Sequence, residues 1–234
     1  MKEQQLQRVE SSEALRVAML LGLSGGFLEV YTYLNRGAVF ANAQTGNLAL
    51  LAMHTVQREW AQALDYLVPI VSFTLGIVIT RMVRARGKQK PGRYLHWRQW
   101  ILLAELTVLW GVGFIPQSEG WNRVANICVA FVCSLQYGAF RRIHGQAFAT
   151  IMCTGNLRSG TEELWQFFAT RQKQHLYHAL NFYGGILAFM VGAAIGGLAC
   201  PVLKEQAIWM ACLPLVVVFS CLFFASFPTL QVDS

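Results

Sequence analysis

Two carboxylates lie where water should not reach. Glu29 sits inside the apolar run GGFLEVYTYL, and Glu105 lies inside WILLAELTVLW. An ionised carboxylate at mid-bilayer costs about 2.5–3.5 kcal/mol on insertion scales, so such groups face a bundle interior, pair, or carry a proton. The chemistry this permits is proton or cation coupling; the plainer reading is a neutral acid bonded to a neighbouring helix. A tripeptide also recurs: Thr45-Gly46-Asn47, in FANAQTGNLALLAM, returns as Thr154-Gly155-Asn156, in AFATIMCTGNLRSGTEELW. Glycine breaks a helix or admits a second backbone, and Thr and Asn cap helix starts. Two half-helices are therefore expected to begin near Asn47 and Asn156. Free N–H groups at such starts can face a solute. Thr45, Gly46, Asn47, Thr154, Gly155 and Asn156 form the expected substrate-binding set, with Glu29 and Glu105 as proton-coupling candidates.

The elements that must position these groups are membrane helices. The 234 residues are 55% hydrophobic and 13% charged, with mean hydropathy +0.40. Soluble domains carry about 25% charged residues, so half of the usual solvating charge is missing. Six runs can cross a hydrocarbon core that needs roughly 20 apolar residues: Leu15–Leu34, Leu64–Met82, Trp100–Ile115, Val124–Phe140, Leu176–Leu203 and Ala207–Phe227. Helices are the expected form, because backbone groups facing lipid must bond within their own segment. The fold class is all-α: a polytopic helix bundle of six spans plus two broken or re-entrant TGN segments.

The two TGN boxes are 109 residues apart, and other residues match at the same offset. Gly76-Ile77 meets Gly185-Ile186, Trp100 meets Trp209, Phe73 meets Phe182 and Phe114 meets Phe223. This reads as an internal duplication: a polar tail at 1–14, then residues 15–120 and 121–234 as two repeats of one membrane domain. Neither carboxylate is duplicated, since Gly138 and Pro214 stand in register with Glu29 and Glu105. If the TGN segments do not cross, fifteen of the nineteen Lys and Arg fall on one side and only Arg36, Arg58, Arg123 and Lys204 on the other. An eight-span arrangement divides them 11 to 8 and leaves Arg158 within a span. The positive-inside rule favours six spans, both termini cytoplasmic and an inverted repeat.

Much else is excluded. The net charge of +7 does not point to nucleic acid. Seven of the basic residues lie at 81–98 beside a span, as in cytoplasmic loops that meet anionic lipid. The six cysteines lie in or beside apolar runs with no CxxC pair and read as small buried hydrophobes. His54, His96, His144, His175 and His178 have no second ligand at metal spacing, so neither metal nor cofactor is expected. No nucleotide, serine-hydrolase or metalloprotease motif occurs, and no catalytic residue is assigned.

Gly26–Tyr31 (GFLEVY) followed by Val39–Asn47 (VFANAQTGN) resembles the start of the YoaK-like family of bacterial membrane proteins of unknown function. Ser134–Arg142 (SLQYGAFRR) and Thr150–Leu157 (TIMCTGNL) are similar to that family's second box. Glu29 stands where an aspartate is more usual, and Tyr137 where an asparagine is. The resemblance implies the bacterial inner membrane and supplies no substrate. Three functions compete on the residues. The leading one is a small-solute transporter or channel, with its site between the TGN segments. The second is a scaffold that binds a partner or lipid through the basic 81–98 loop. The third is an intramembrane enzyme, which would have only Glu29, Glu105 and the Glu162-Glu163 pair to work with. Membrane lipid and an unknown small solute are the expected partners, and a homo-oligomer is compatible with the sequence.

Overall fold

Helix α3 (Trp60–Gly87) has its polarity inside out. Its buried stripe is Ala63, Tyr66, Ser72, Gly76 and Thr80, whereas Leu64, Leu67, Val71, Leu75, Val78, Ile79 and Met82 are exposed. A helix in water buries the large apolar residues. A helix in lipid has no such drive, and small or polar residues instead let neighbours approach. Helix α7 (Lys173–Leu203) repeats the pattern, with Gly185, Gly192, Gly196 and Cys200 buried and Leu180, Leu187, Met190, Leu198 and Val202 exposed.

The computed structural model describes residues 2–87, 97–140 and 153–226, all helix or connection without a strand. Besides α3 and α7, the helices are α1 (Lys2–Asn35), α2 (Gln44–Val56), α4 (Trp97–Val112), α5 (Glu119–Ala139), α6 (Cys153–Thr170) and α8 (Ile208–Ser226). A 3-10 turn, Lys204–Ala207, joins α7 to α8. The polar tail expected at 1–14 continues α1, which is helical from Lys2. Three stretches are long and apolar enough to cross a membrane: Leu15–Asn35, Trp60–Arg86 and Lys173–Phe223, the last holding both α7 and α8. Helix α4 has only 16 residues, about 24 Å of rise. The first turns of α5 carry Glu119, Asn122, Arg123 and Asn126, which dilute its apolar character.

The helices exchange partners. α1 packs most closely on α7, and α3 on α5. Both seams are parallel and notched by glycine. A Cβ on Gly26 would strike the Phe189 carbonyl, one on Gly192 the Leu23 carbonyl, and one on Gly76 the Ser134 hydroxyl. In the α3–α5 seam, Ser72 Oγ donates to Ile127 O at 2.8 Å and Arg123 Nε to Asp65 Oδ1 at 2.6 Å. α1 runs antiparallel to α5, since Gln136 Nε2 donates to Leu21 O and Asn126 Nδ2 to Arg36 O. α8 returns along α1, fixed by Ser24 Oγ to Ala211 O at 3.0 Å. α4 returns along α5, fixed by Arg98 Nε to Ala139 O at 3.1 Å. So α1, α4 and α7 run one way, and α3, α5 and α8 the other.

Helices α2 and α6 do not join opposite ends. α1 finishes and α3 starts at the same end. Between them the chain turns back until Asn42 Nδ2 reaches Gly25 O, ten residues below Asn35, or about 15 Å along α1. α2 then climbs back. α6 lies against α7, running down to its own end of the bundle from a start deep in the core.

Candidate site at the starts of the two short helices

Glu29 closes the first box. Its Oε2 accepts from the Asn42 N–H at 2.7 Å and its Oε1 from the Ala43 N–H at 3.1 Å. An anion beside exposed N–H groups at a helix start is stabilised by hydrogen bonds and by the helix dipole. The fastening of α2 therefore comes from another helix, which changes the expected role of the TGN residues. α2 begins at Gln44, not near Asn47, and its N-cap residue Ala43 makes no side-chain cap. Thr45 does not cap, and is exposed. Asn47, fully buried, bonds backwards instead: Oδ1 accepts from Phe40 N at 3.0 Å, and Nδ2 donates to Phe40 O at 2.7 Å and to Gln44 Oε1 at 2.9 Å. Gly46 is required because the Phe40 ring lies over it; a Cβ there would sit 2.7 Å from Phe40 Cδ2. The first box is a stapled loop.

The second box opens α6 in the same way. Cys153 is its first residue, so Thr154, Gly155 and Asn156 form its first turn and the helix does not wait for Asn156. Asn156 is buried, whereas Thr154 and Gly155 are exposed. Residues 141–152, which include part of the second family-like box, lie outside the described residues. Among the described residues, α6 is held by α7. Gly160 faces Phe182 and Tyr183, Thr161 Oγ1 meets Tyr183 Oη at 3.0 Å, and Glu163 Oε2 meets His175 Nδ1 at 2.7 Å. The Cys153 thiol is within electrostatic range of Glu29. The structure thus fixes the start of α2 on α1 at Gly25 to Glu29, with the first residue of α6 within electrostatic range of Glu29.

Glu105 stands apart from this cluster. It is fully buried on α4, and among the described residues neither carboxylate oxygen has a hydrogen-bond partner. It is within electrostatic range of Cys133 on α5 and Cys212 on α8, and Cys133 in turn feels Glu29. Both acids therefore act on Cys133, one with its oxygens engaged and one, among the described residues, without a hydrogen bond.

Arg36 is the residue that sequence reasoning missed. Counted as a loop charge, it is 1% exposed. Its guanidinium donates to Tyr31 Oη at 2.7 and 2.9 Å, to the carbonyls of Ile115 at 2.9 Å and Pro116 at 3.1 Å, and to Asn122 Oδ1 at 3.2 Å. A cation suits carbonyls left open at the end of α4, and the fork ties α1, α4 and α5 together. The signal available in the sequence was an arginine directly after an apolar run and before Gly37. Among the described residues no group of His, Cys, Asp and Glu is arranged to hold a metal ion.

Comparison with known proteins agrees with the membrane reading. The family described as protein of unknown function (DUF1275) matches residues 17–221. UPF0700 transmembrane protein YoaK of Bacillus subtilis (strain 168) is 25% identical over 207 residues, covering 86% of this chain and 88% of that protein. No solved structure matches. An all-helical chain with apolar outer faces and a family match from its first span into its last helix belongs to the DUF1275 family of transmembrane proteins, the YoaK-like proteins of unknown function.

Proposed function

We propose that the chain is a small-solute transporter or channel of the bacterial inner membrane, built as an inverted repeat. Its six spans would be α1, α3, α4, α5, α7 and α8, with α2 and α6 as re-entrant half-helices entering from opposite sides. Both termini would be cytoplasmic, as the charge distribution favours. The offset of 109 residues carries Gln44, the start of α2, onto Cys153, the start of α6. It also carries the α1–α7 seam onto the α5–α3 seam, and those seams are the closest packed. The equivalent helices α1 and α5 run antiparallel, as inversion requires.

One observation carries the functional reading: α2 starts on Glu29, inside the apolar part of α1, and the Cys153 thiol that opens α6 is within electrostatic range of the same carboxylate. Broken helices whose starts meet near the midplane are how many transporters present N–H groups to a solute, and irregular backbone at that depth is tolerated where it is buried or lines a cavity. The solute would lie between the boxes, beside Thr45, Gly46, Asn47, Thr154, Gly155 and Asn156. Glu105 is the better coupling candidate, because a bare carboxylate can exchange a proton at small structural cost. Glu29, holding two backbone donors, would act as a fastening. The test is impermeant thiol labelling of single cysteines at Thr45, Asn47, Thr154 and Asn156, paired with solute flux into proteoliposomes. Labelling of box one from outside and box two from inside supports the reading. Labelling of all four from one side, or no flux across a broad panel, overturns it.

A further inference from the structure

The face of α1 carrying Leu21, Gly25 and Glu29 faces a row of amides. These residues are four apart, so their carbonyls stack about 6 Å from each other, roughly one turn. Gln136 Nε2 donates to Leu21 O at 3.3 Å, and Asn42 Nδ2 donates to Gly25 O at 3.0 Å. Both amides spend their nitrogen on α1, and both are left with an oxygen, Gln136 Oε1 and Asn42 Oδ1, that is buried and meets no donor among the described residues. Gln136 is 0% and Asn42 5% exposed. One turn beyond Asn42's anchor, the Glu29 carboxylate provides negative charge.

A buried acceptor left unpaired costs about 1–3 kcal/mol, and two on adjacent turns compound that loss. What they lack is donors. Anchors one turn apart on the same face of α1 hold both acceptor oxygens within reach of one small donor-bearing group, which can turn separate N–H bonds to each. A bare metal ion would need oxygens drawn much closer together, and no described group is arranged to hold one. An anion is disfavoured by the two acceptor oxygens and the carboxylate alike.

We propose that this core binds a small N–H-donating cation, ammonium or a small protonated primary amine, between Asn42 Oδ1 and Gln136 Oε1 with Glu29 as counter-charge. This deepens the transport reading by naming the solute class, and rests on that reading only for the claim that the ligand moves.

The test uses the purified full-length protein in detergent and follows thermal unfolding at constant ionic strength. Ammonium and methylammonium chlorides are expected to raise Tm by about 5 °C near saturation. Potassium, of nearly the same size as ammonium but without donors, and tetramethylammonium, with charge but no N–H, are expected to leave it unchanged. Gln136→Leu is expected to abolish the shift and Gln136→Glu, which keeps an acceptor in place, to retain it. Because the four-cation comparison needs no variant, it decides the matter even if Gln136→Leu fails to fold. Equal shifts with potassium or tetramethylammonium, no shift with any of the four, or a full shift in folded Gln136→Leu would overturn the proposal. Binding without flux of these cations would break the transport reading alone; flux of another solute with no ammonium shift would break this proposal alone.

Discussion

The two short helices open on the same three residues and are held in different ways. α2 is fastened at its start, by Glu29 from α1 and by Asn47 reaching back to Phe40. α6, among the described residues, is fastened along its flank and near its end, by Gly160, Thr161 and Glu163 against α7. In register with Glu29 stands Gly138, and a Cβ there would already press on Thr80 at 2.8 Å, so no acid could take its place without moving α3. The tripeptide therefore specifies where a short helix starts, and not what secures it. Two helices can open on one tripeptide while each finds its own hydrogen bonds.

The sharpest break in this comparison is Glu29→Ala. It strands the Asn42 and Ala43 N–H groups in the core, at roughly 1–3 kcal/mol for each buried donor left unpaired. A fall in Tm larger than that of any other single change in either box is expected in detergent-solubilised protein. Glu29→Gln keeps one acceptor oxygen and should recover about half of the loss. An unchanged Tm for Glu29→Ala would mean that α2 is not secured from α1.

Asn47→Ala comes next. It removes bonds to both the N–H and the carbonyl of Phe40, and the lost pair should destabilise by about 1–3 kcal/mol. Asn47→Asp separates the contributions. Its carboxylate can still accept from Phe40 N but cannot donate to Phe40 O or Gln44 Oε1. A variant as stable as the native protein would show that the single bond to the Phe40 N–H closes the loop.

The architecture was legible in the sequence because lipid imposes a simple rule: long apolar runs must be helices. Each of the six runs is helical over most of its described length, the third giving way to a turn after Val112. The boundaries slipped where a rule about water was applied. The tail before Leu15 is polar, yet polar residues extend a helix readily once its first turns are nucleated. The helix starts at Gln44 and Cys153 were misjudged by about one turn because Thr and Asn were read as local caps. The group that secures α2 is Glu29, 14 residues before Ala43 in the chain, and a contact between two helices leaves no local pattern. Arg36 was hidden for the same reason, since its carbonyl acceptors are 76 to 80 residues away. Glu29 and Glu105 were found by type alone, but only geometry separates an acid with both oxygens engaged from one with neither.

The central glycines give opposite signs for one substitution. At Gly46 an added methyl meets the Phe40 ring at 2.7 Å, and overpacking of this kind costs about 1–3 kcal/mol. At Gly155 nothing lies within 4 Å, so alanine should stabilise α6 by up to about 1 kcal/mol through helix propensity. Thermal unfolding of Gly46→Ala and Gly155→Ala side by side should show Tm falling in the first and rising slightly in the second. Equal falls would mean that the second glycine is also packed against something, and that the two boxes are secured alike.

The smallest effect is expected where each short helix meets the long helix that follows. On the 109-residue offset, His54 and Tyr66 correspond to Glu163 and His175. His54 stacks on Tyr66 with ring centroids 5.4 Å apart, and Glu163 bonds His175 at 2.7 Å. Both pairs touch, the first as a ring stack and the second as a carboxylate–imidazole pair. The Glu163 and His175 side chains are 26% and 28% exposed, and pairs screened to that degree contribute about 0–1 kcal/mol. Glu163→Gln should therefore leave global unfolding almost unchanged while hastening amide exchange in the last turns of α6, because the flank is what holds this helix. Faster exchange at the start of α6 with its end unaffected would reverse the assignment, moving the fastening of the second box to its first turn and making it the twin of the first.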